Sequence, residues 1–291
     1  MEGSTEFTRL RPRLALTTNG SLLSPAILDF LDRHGFFVEL SFDALAQNTL
    51  RKRGSFPALC SALDGLLARP GIKFEVNSVF TPRSVSLLSG SVKFLVESGV
   101  RDTRISTALN SRWTRASLDE LGRQLRRVGR RMAVDIRSRG EVPVSNFRSG
   151  PPRGKRVFAC GAGKGRMAVS PEGDIWGCHL FPDLYRVRGR PAGIRAFRFG
   201  RAGEPEAFER DYISVLGRHA DLSQDSFSVS GHWCLFCPEL ASCEVCPLHS
   251  AFAGARMGEI PPHICAIQRL WIAEKKALAR ALEVANHLKN G

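Results

Sequence analysis

The sequence predicts an α/β protein: an open parallel sheet of four strand–helix units, then a small cysteine-rich region that ends in a long helix. Three observations carry this expectation. Short apolar runs alternate with amphipathic stretches through the first half, with the period of about 30 residues that a parallel sheet and its crossovers require. Seven of the eight cysteines crowd between Cys160 and Cys265. Ile267, Leu270, Trp271, Leu278, Leu282 and Ala285 form one stripe, broken once by Glu274, over a helix from about Ala266 to His287.

Each element has its own local reason. Leu14-Ala15-Leu16-Thr17-Thr18 reads as a strand and stops at the turn pair Asn19-Gly20. Ser24 and Pro25 supply the cap and first residue of a helix that closes near Gly35. Phe36 to Phe42 is the second strand, broken by Asp43, and Phe56 to Leu67 has helical spacing. The third strand is Phe74 to Phe80, followed by a helix from about Ser84 to Ser98. Arg104-Ile105-Ser106 is a short fourth strand, and Thr114 to Arg131 a very basic helix. A closed barrel of this kind needs eight units. Four leave two free edges, which predicts exposed apolar surface. Residues 138–157 are rich in Gly, Pro and Arg and read as a linker. The expected division is therefore 1–137, a linker, and 158–291. In the last segment Met167 to Ser170 and Asp174 to Trp176 read as a hairpin around Pro171-Glu172-Gly173.

Composition narrows the classes. Of 291 residues, 43% are hydrophobic and 24% charged, which is globular rather than disordered. The formal net charge of +14 favours anionic partners without choosing among them. No apolar run approaches the roughly 18 residues of a membrane span. The first seven residues lack the basic-then-apolar order of a secretory signal, so the expected location is cytoplasmic, with no membrane partner.

In a reducing compartment, clustered thiols read first as metal ligands. Cys160 is followed by Gly173-x4-Cys178, then by Cys234-x2-Cys237-x5-Cys243-x2-Cys246 and, after eighteen intervening residues, Cys265. Two thiolates two residues apart can grip one centre from a tight turn. Seven cysteines suit two centres, one of them short of a ligand. Four-cysteine zinc competes, although its usual ribbon separates the pairs by about 15–20 residues. Cys60 stands apart and reads as a small core residue.

This order of cysteines resembles the SPASM domain, the C-terminal extension of radical S-adenosylmethionine enzymes that hosts auxiliary 4Fe–4S clusters. The family's last inner spacing is x3, where this sequence has x2 before Cys246. The resemblance implies one auxiliary cluster on Cys160, Cys178 and Cys246, and a second on Cys234, Cys237, Cys243 and Cys265. Thr17 to Leu23 and Leu40-Ser41-Phe42-Asp43 look like the third and fourth strand ends of the family's partial (β/α) barrel, and the stretch around Arg51 follows. By resemblance Ser41 and Arg51 would contact S-adenosylmethionine, with Asn19 and Asp43 on the same side. The family's Cys-x3-Cys-x2-Cys triplet and Gly-Gly-Glu segment do not occur in these 291 residues. The barrel is thus expected to lack its first two units, and the chain alone is not expected to cleave S-adenosylmethionine.

What the resemblance implies is a class that modifies peptides or proteins through a 5′-deoxyadenosyl radical, with a peptide or protein substrate and a reductant protein as partners. His179, directly after Cys178, stands where sulfatase-maturing relatives carry an Asp, and an imidazole there is a candidate acid or base. Two rivals remain open: a zinc-stabilised basic module that binds nucleic acid, and a catalytically dead relative that binds a peptide or partner. The Arg-rich stretch from Arg123 to Arg131 comes with no nucleic-acid motif and reads as a solvated face. His232, His249 and His263 lie near the cysteines and read as loop or surface residues. Gly161 to Gly165 lacks the Ser or Thr that a phosphate loop needs.

Overall fold

The computed structural model describes residues 13–108, 111–148, 162–163, 166–187, 189, 192–221, 227–246, 248 and 257–290. The chain divides into two compact units, Met1–Ser149 with Ala273–Gly291, and Gly150–Ile272.

In the first unit, β1 (Ala15–Thr18), β2 (Phe37–Ser41), β3 (Lys73–Phe80) and β4 (Thr103–Thr107) form one sheet in that order, every pair parallel. Helices α1 (Pro25–Arg33), α2 (Phe56–Leu67) and α3 (Leu88–Glu97) connect the strands, and α4 (Arg115–Arg139) follows β4. The α/β class and the four-stranded parallel sheet are those the sequence predicts. Ser24 caps α1 by accepting the Ile27 N–H, with Pro25 in the first turn.

Alternation along the strands decides which face is covered. Val38 and Leu40 are fully buried and join Leu28, Leu31, Leu63, Leu66, Val76 and Leu95 in one core. Burial of such a side chain stabilises by about 1.5–3 kcal/mol. A slip of one residue would drive Glu39 into that core, so the register is fixed. Cys60 packs against the same core, as the small residue the sequence suggests.

Two differences from the sequence reading have physical causes. Helix α4 runs eight residues past Arg131: Met132 and Asp135 continue its buried face, and Arg131 Nε satisfies the Asp135 carboxylate at 3.0 Å. Gly140, at φ 71°, then ends the helix. The outer edge of β4 is not bare. The Thr103 N–H donates to the Pro143 carbonyl, and the Asn146 side chain pairs with both backbone groups of Ile105. The break at Glu274 in the apolar stripe also has a cause: its carboxylate faces Arg126 and Arg130 of α4.

In the second unit, β5 (Ala168–Val169), β6 (Asp174–Trp176) and β7 (Arg198–Arg201) form an antiparallel sheet. Helix α5 (Leu180–Val187) follows β6, and α6 (Pro205–Asp221) follows β7. A small hairpin, β8 (Ser228–Val229) and β9 (His232–Trp233), precedes the cysteine-rich turns. Helix α7 (Pro262–Asn290) starts in this unit, passes at Ala273 into residues of the first, and is longer at both ends than its apolar stripe. Gly173, at φ 89°, makes the expected hairpin turn, and its N–H donates to the Ser170 carbonyl. Among the described residues, no helix is long and apolar enough to cross a membrane.

Candidate functional site

The strand ends gather the residues that the sequence singled out. The Asn19 side-chain carbonyl accepts both the backbone N–H and the hydroxyl of Ser21, at 3.0 and 2.8 Å, and so closes the turn after β1. Ser41 ends β2 on the face opposite the core, in register with Asn77. Asp43 is 1% exposed and anchors the loop beyond. Its Oδ2 accepts Arg51 Nε at 2.7 Å, and its Oδ1 accepts Arg51 Nη2 at 3.3 Å and the Val79 N–H at 2.8 Å. Asp43 and Arg51 are therefore each other's partners, with Arg51 still 29% exposed. The next residue, Ala44, sits at φ 48°, a left-handed conformation that a non-glycine residue adopts only under constraint.

Beside them, the sheet face turned away from the core carries a polar ladder that the sequence reading missed. Ser106 donates to Asn77 at 3.1 Å, and Asn77 donates to Glu39 at 3.2 Å. Arg104 pairs with Glu75 at 3.2 Å. Burial raises the Glu75 carboxyl above its usual range, and Arg104 partly offsets it. The signal was legible: Glu39 between Val38 and Leu40, and Glu75 and Asn77 around Val76, mark one polar face at period two.

The cysteines of the second unit fall into two groups. Cys178 and Cys246 both lie against one cluster of Trp176, Phe181, Leu184, Ile194, Phe197 and Leu248. Cys160 lies outside the described residues. The other group is Cys234, Cys237, Cys243 and Cys265. Cys234 and Cys237 bracket a 3₁₀ turn over Cys234–Phe236, and Cys265 lies in the first turn of α7. Burial pushes the Cys234 thiol up to about 11, with further contributions from Cys243, Cys265 and Cys237. Cys243 is raised by burial first, then by Cys265 and Cys237. Arg269, one turn beyond Cys265, is raised by Cys265 and hydrogen-bonds both Cys237 and Cys265. The i,i+4 spacing of Cys265 and Arg269 on a helix was the sequence signal for that cation.

Among the described residues there is no disulfide, and no group of three or more His, Cys, Asp and Glu side chains is arranged to hold a single metal ion. His179 is exposed on the turn before α5. His232 is exposed and bonds the Ser230 carbonyl at 3.2 Å, His263 is half-buried, and His249 lies outside the described residues. The sequence reading also passed over His219. It is 8% exposed and packed among Phe181, Phe197 and Phe199.

No protein-family model and no curated protein sequence matches the chain. Solved structures do. The chain is similar to anSMEcpe with bound AdoMet, an anaerobic sulfatase-maturating radical SAM enzyme, at TM-score 0.67 and 16% identity, over 94% of this chain and 72% of that one. It is also similar to anSMEcpe with bound AdoMet and the Kp18Cys peptide, at TM-score 0.65 and 15% identity, over 94% and 76% of the two chains. With the Cp18Cys peptide the values are 0.64 and 15%, over 94% and 77%. At such identity the likeness is one of fold, and the fold is a radical SAM-like partial (β/α) barrel.

Proposed function

We propose that this chain is a radical SAM/SPASM-type protein of the class that modifies peptides or proteins. In this reading a partial barrel over 1–137 and a linker over 138–157 lead into a cluster-binding segment, 158–291. The observation that carries the reading is the sorting of the cysteines. Cys234, Cys237, Cys243 and Cys265 form one electrostatically coupled set, while Cys178 and Cys246 share a different apolar wall. With Cys160, these are the two ligand sets expected for two auxiliary 4Fe–4S clusters. The similar solved structures, with AdoMet and peptides bound, support the same class.

The residues present fit such groups. Cys234 and Cys243, raised by burial and by the neighbouring thiols, are poor thiolates alone, and a cationic cluster would remove that penalty. Bound there, 4Fe–4S clusters would supply one-electron redox capacity or a site for substrate. Arg269 would offset the negative charge of the thiolates of Cys237 and Cys265. On the barrel side, Ser41, the outer edge of Arg51 and the Glu39–Asn77–Ser106 ladder would hold S-adenosylmethionine or peptide by hydrogen bonds, with Asn19 and Asp43 shaping the loops. His179, exposed beside Cys178, would exchange a proton with substrate. Reductive cleavage of S-adenosylmethionine also requires a thiolate triplet that these 291 residues do not contain.

Anaerobic reconstitution followed by iron and sulfide analysis tests the reading. The expected content is about eight iron and eight sulfide per chain, and Cys237→Ser should remove about half. Zinc without sulfide, or iron at background, would overturn it. Zinc together with steeply salt-dependent RNA or DNA binding would establish the basic zinc module instead.

A further inference from the structure

The second unit contains a cavity of about 330 Å³ that the reading above does not use. Four arginines line it, Arg186, Arg195, Arg198 and Arg201, against two acidic side chains, Glu172 and Asp174. Internal pairing uses only part of their donors. Arg198 Nη1 bonds Asp174 Oδ1 at 2.6 Å, Arg201 Nη2 donates to the Glu172 carbonyl at 3.0 Å, and Arg186 Nη2 bonds Asp183 at 2.7 Å. Arg195, exposed at the end of a short helical turn, makes no hydrogen bond or ion pair among the described residues.

A second observation points the same way. Trp176 lines the cavity and is 1% exposed, yet its Nε1 is buried with no acceptor. Pro182 and the ring of Tyr185, whose centroid lies 5.3 Å from that of Trp176, complete an apolar wall. Several guanidinium forks around a single hollow, Arg195 without a partner among the described residues, are donors in search of acceptors. Planar guanidinium matches the paired oxygens of carboxylate or phosphate, which Lys cannot do as well. The chain does not supply the missing anion locally, since residues 150–202 hold eleven Lys and Arg against three Asp and Glu. The volume lies at the lower end of the range for small-molecule sites, of order 300–1,000 Å³.

We propose that this cavity binds an oxyanion on a small organic molecule, a phosphate ester or a carboxylic acid. Arg195, Arg198 and Arg201 hold the anion, and the organic body lies against Trp176, Tyr185 and Pro182. The site needs no cluster to bind its anion, although its Trp176 wall is also the one against which Cys178 and Cys246 pack.

Calorimetric titration of the full chain, prepared anaerobically, with phenyl phosphate and with benzoate tests this, each against sodium chloride of equal ionic strength. Saturable one-site binding is expected for at least one probe, and the stronger probe identifies the anion. Arg195→Gln should weaken it about tenfold, the worth of one charge-assisted hydrogen bond. Trp176→Phe, which trims the apolar wall, should weaken it several-fold. Arg210→Gln, an equal charge change outside the cavity lining, should leave it unchanged. Absence of saturable binding by either probe, or equal losses in Arg195→Gln and Arg210→Gln, would overturn the proposal.

Discussion

Replacing Asp43 separates two roles that one carboxylate holds. Strand β2 stops at Ser41, and the next ladder bond runs from the Phe42 N–H to the Asn77 carbonyl. The rung after that is not backbone: the Val79 N–H donates to Asp43 Oδ1 at 2.8 Å. Asp43→Ala leaves that amide without an acceptor, which costs about 1–3 kcal/mol. It also breaks the pair with Arg51. Because Arg51 is 29% exposed and regains water, that loss is nearer 1 kcal/mol than the roughly 3–5 of a fully buried pair. Asp43→Ala should therefore destabilise by about 3 kcal/mol. Asp43→Asn keeps the shape and an acceptor oxygen and should cost only about 1 kcal/mol. Equilibrium urea unfolding gives both values, and amide exchange at Val79 gives the local readout, with protection lost in the Ala variant and kept in the Asn variant. If the two substitutions cost the same, or Val79 stays protected in Asp43→Ala, the side chain is not acting as a rung and the reasoning fails.

Other expectations follow from the second unit. Burial lowers the His219 pKa below its usual value. Below about pH 6.5 the unfolded chain therefore takes up a proton that the folded chain resists, and stability falls as pH drops from there toward the folded value. Melting temperatures at pH 7.5 and 5.5 should diverge in the native protein and converge in His219→Gln. A methyl group at Gly177 would collide with His219 Nε2, so Gly177→Ala should cost about 1–3 kcal/mol. Adding His219→Ala should recover part of that loss in a double-mutant cycle. In the metal-free chain, Cys234, at about 11 against an ordinary thiol value of 9, should alkylate about a hundredfold more slowly than a free thiol at pH 8. Its rate should rise about tenfold per pH unit. Pulsed alkylation read by mass spectrometry measures this, and a rate at pH 8 equal to that of glutathione would rule out the coupled, half-buried quartet.

What the sequence made legible was whatever repeats at short range. The capped start of α1, the alternation of β2 and β3 and the Gly173 turn each obey a local rule, and each lies where that rule puts it. The misses share a cause as well. Beyond Arg131 the apolar period of helix α4 is broken by Asp135, and the i,i+4 pair with Arg131 makes that buried position tolerable. The sequence puts Arg51 on S-adenosylmethionine and Asp43 merely on the same side, since nothing in a linear sequence shows that a strand-end carboxylate and a loop guanidinium meet. His219 gave no signal either. Its cage is drawn from α5, β7 and the residue before β7, which come together only in the fold.

The cysteines show how one spacing carries two meanings. Cys234 and Cys237 are separated by two residues, and so are Cys243 and Cys246. Between the first pair the chain forms a 3₁₀ turn, where residues three apart eclipse each other and both thiols face one side. At the second pair the backbone leaves its own 3₁₀ turn at Cys243 in an extended conformation, φ −81° and ψ 130°. Val245 between them is buried, Cys243 raises Cys234, and Cys246 instead joins Cys178 against the Trp176 cluster. A pattern of spacings therefore counts the thiols without saying which of them share a centre. The x2 spacing before Cys246 thus has a physical consequence: the second CxxC divides its thiols between two groups where the first unites them.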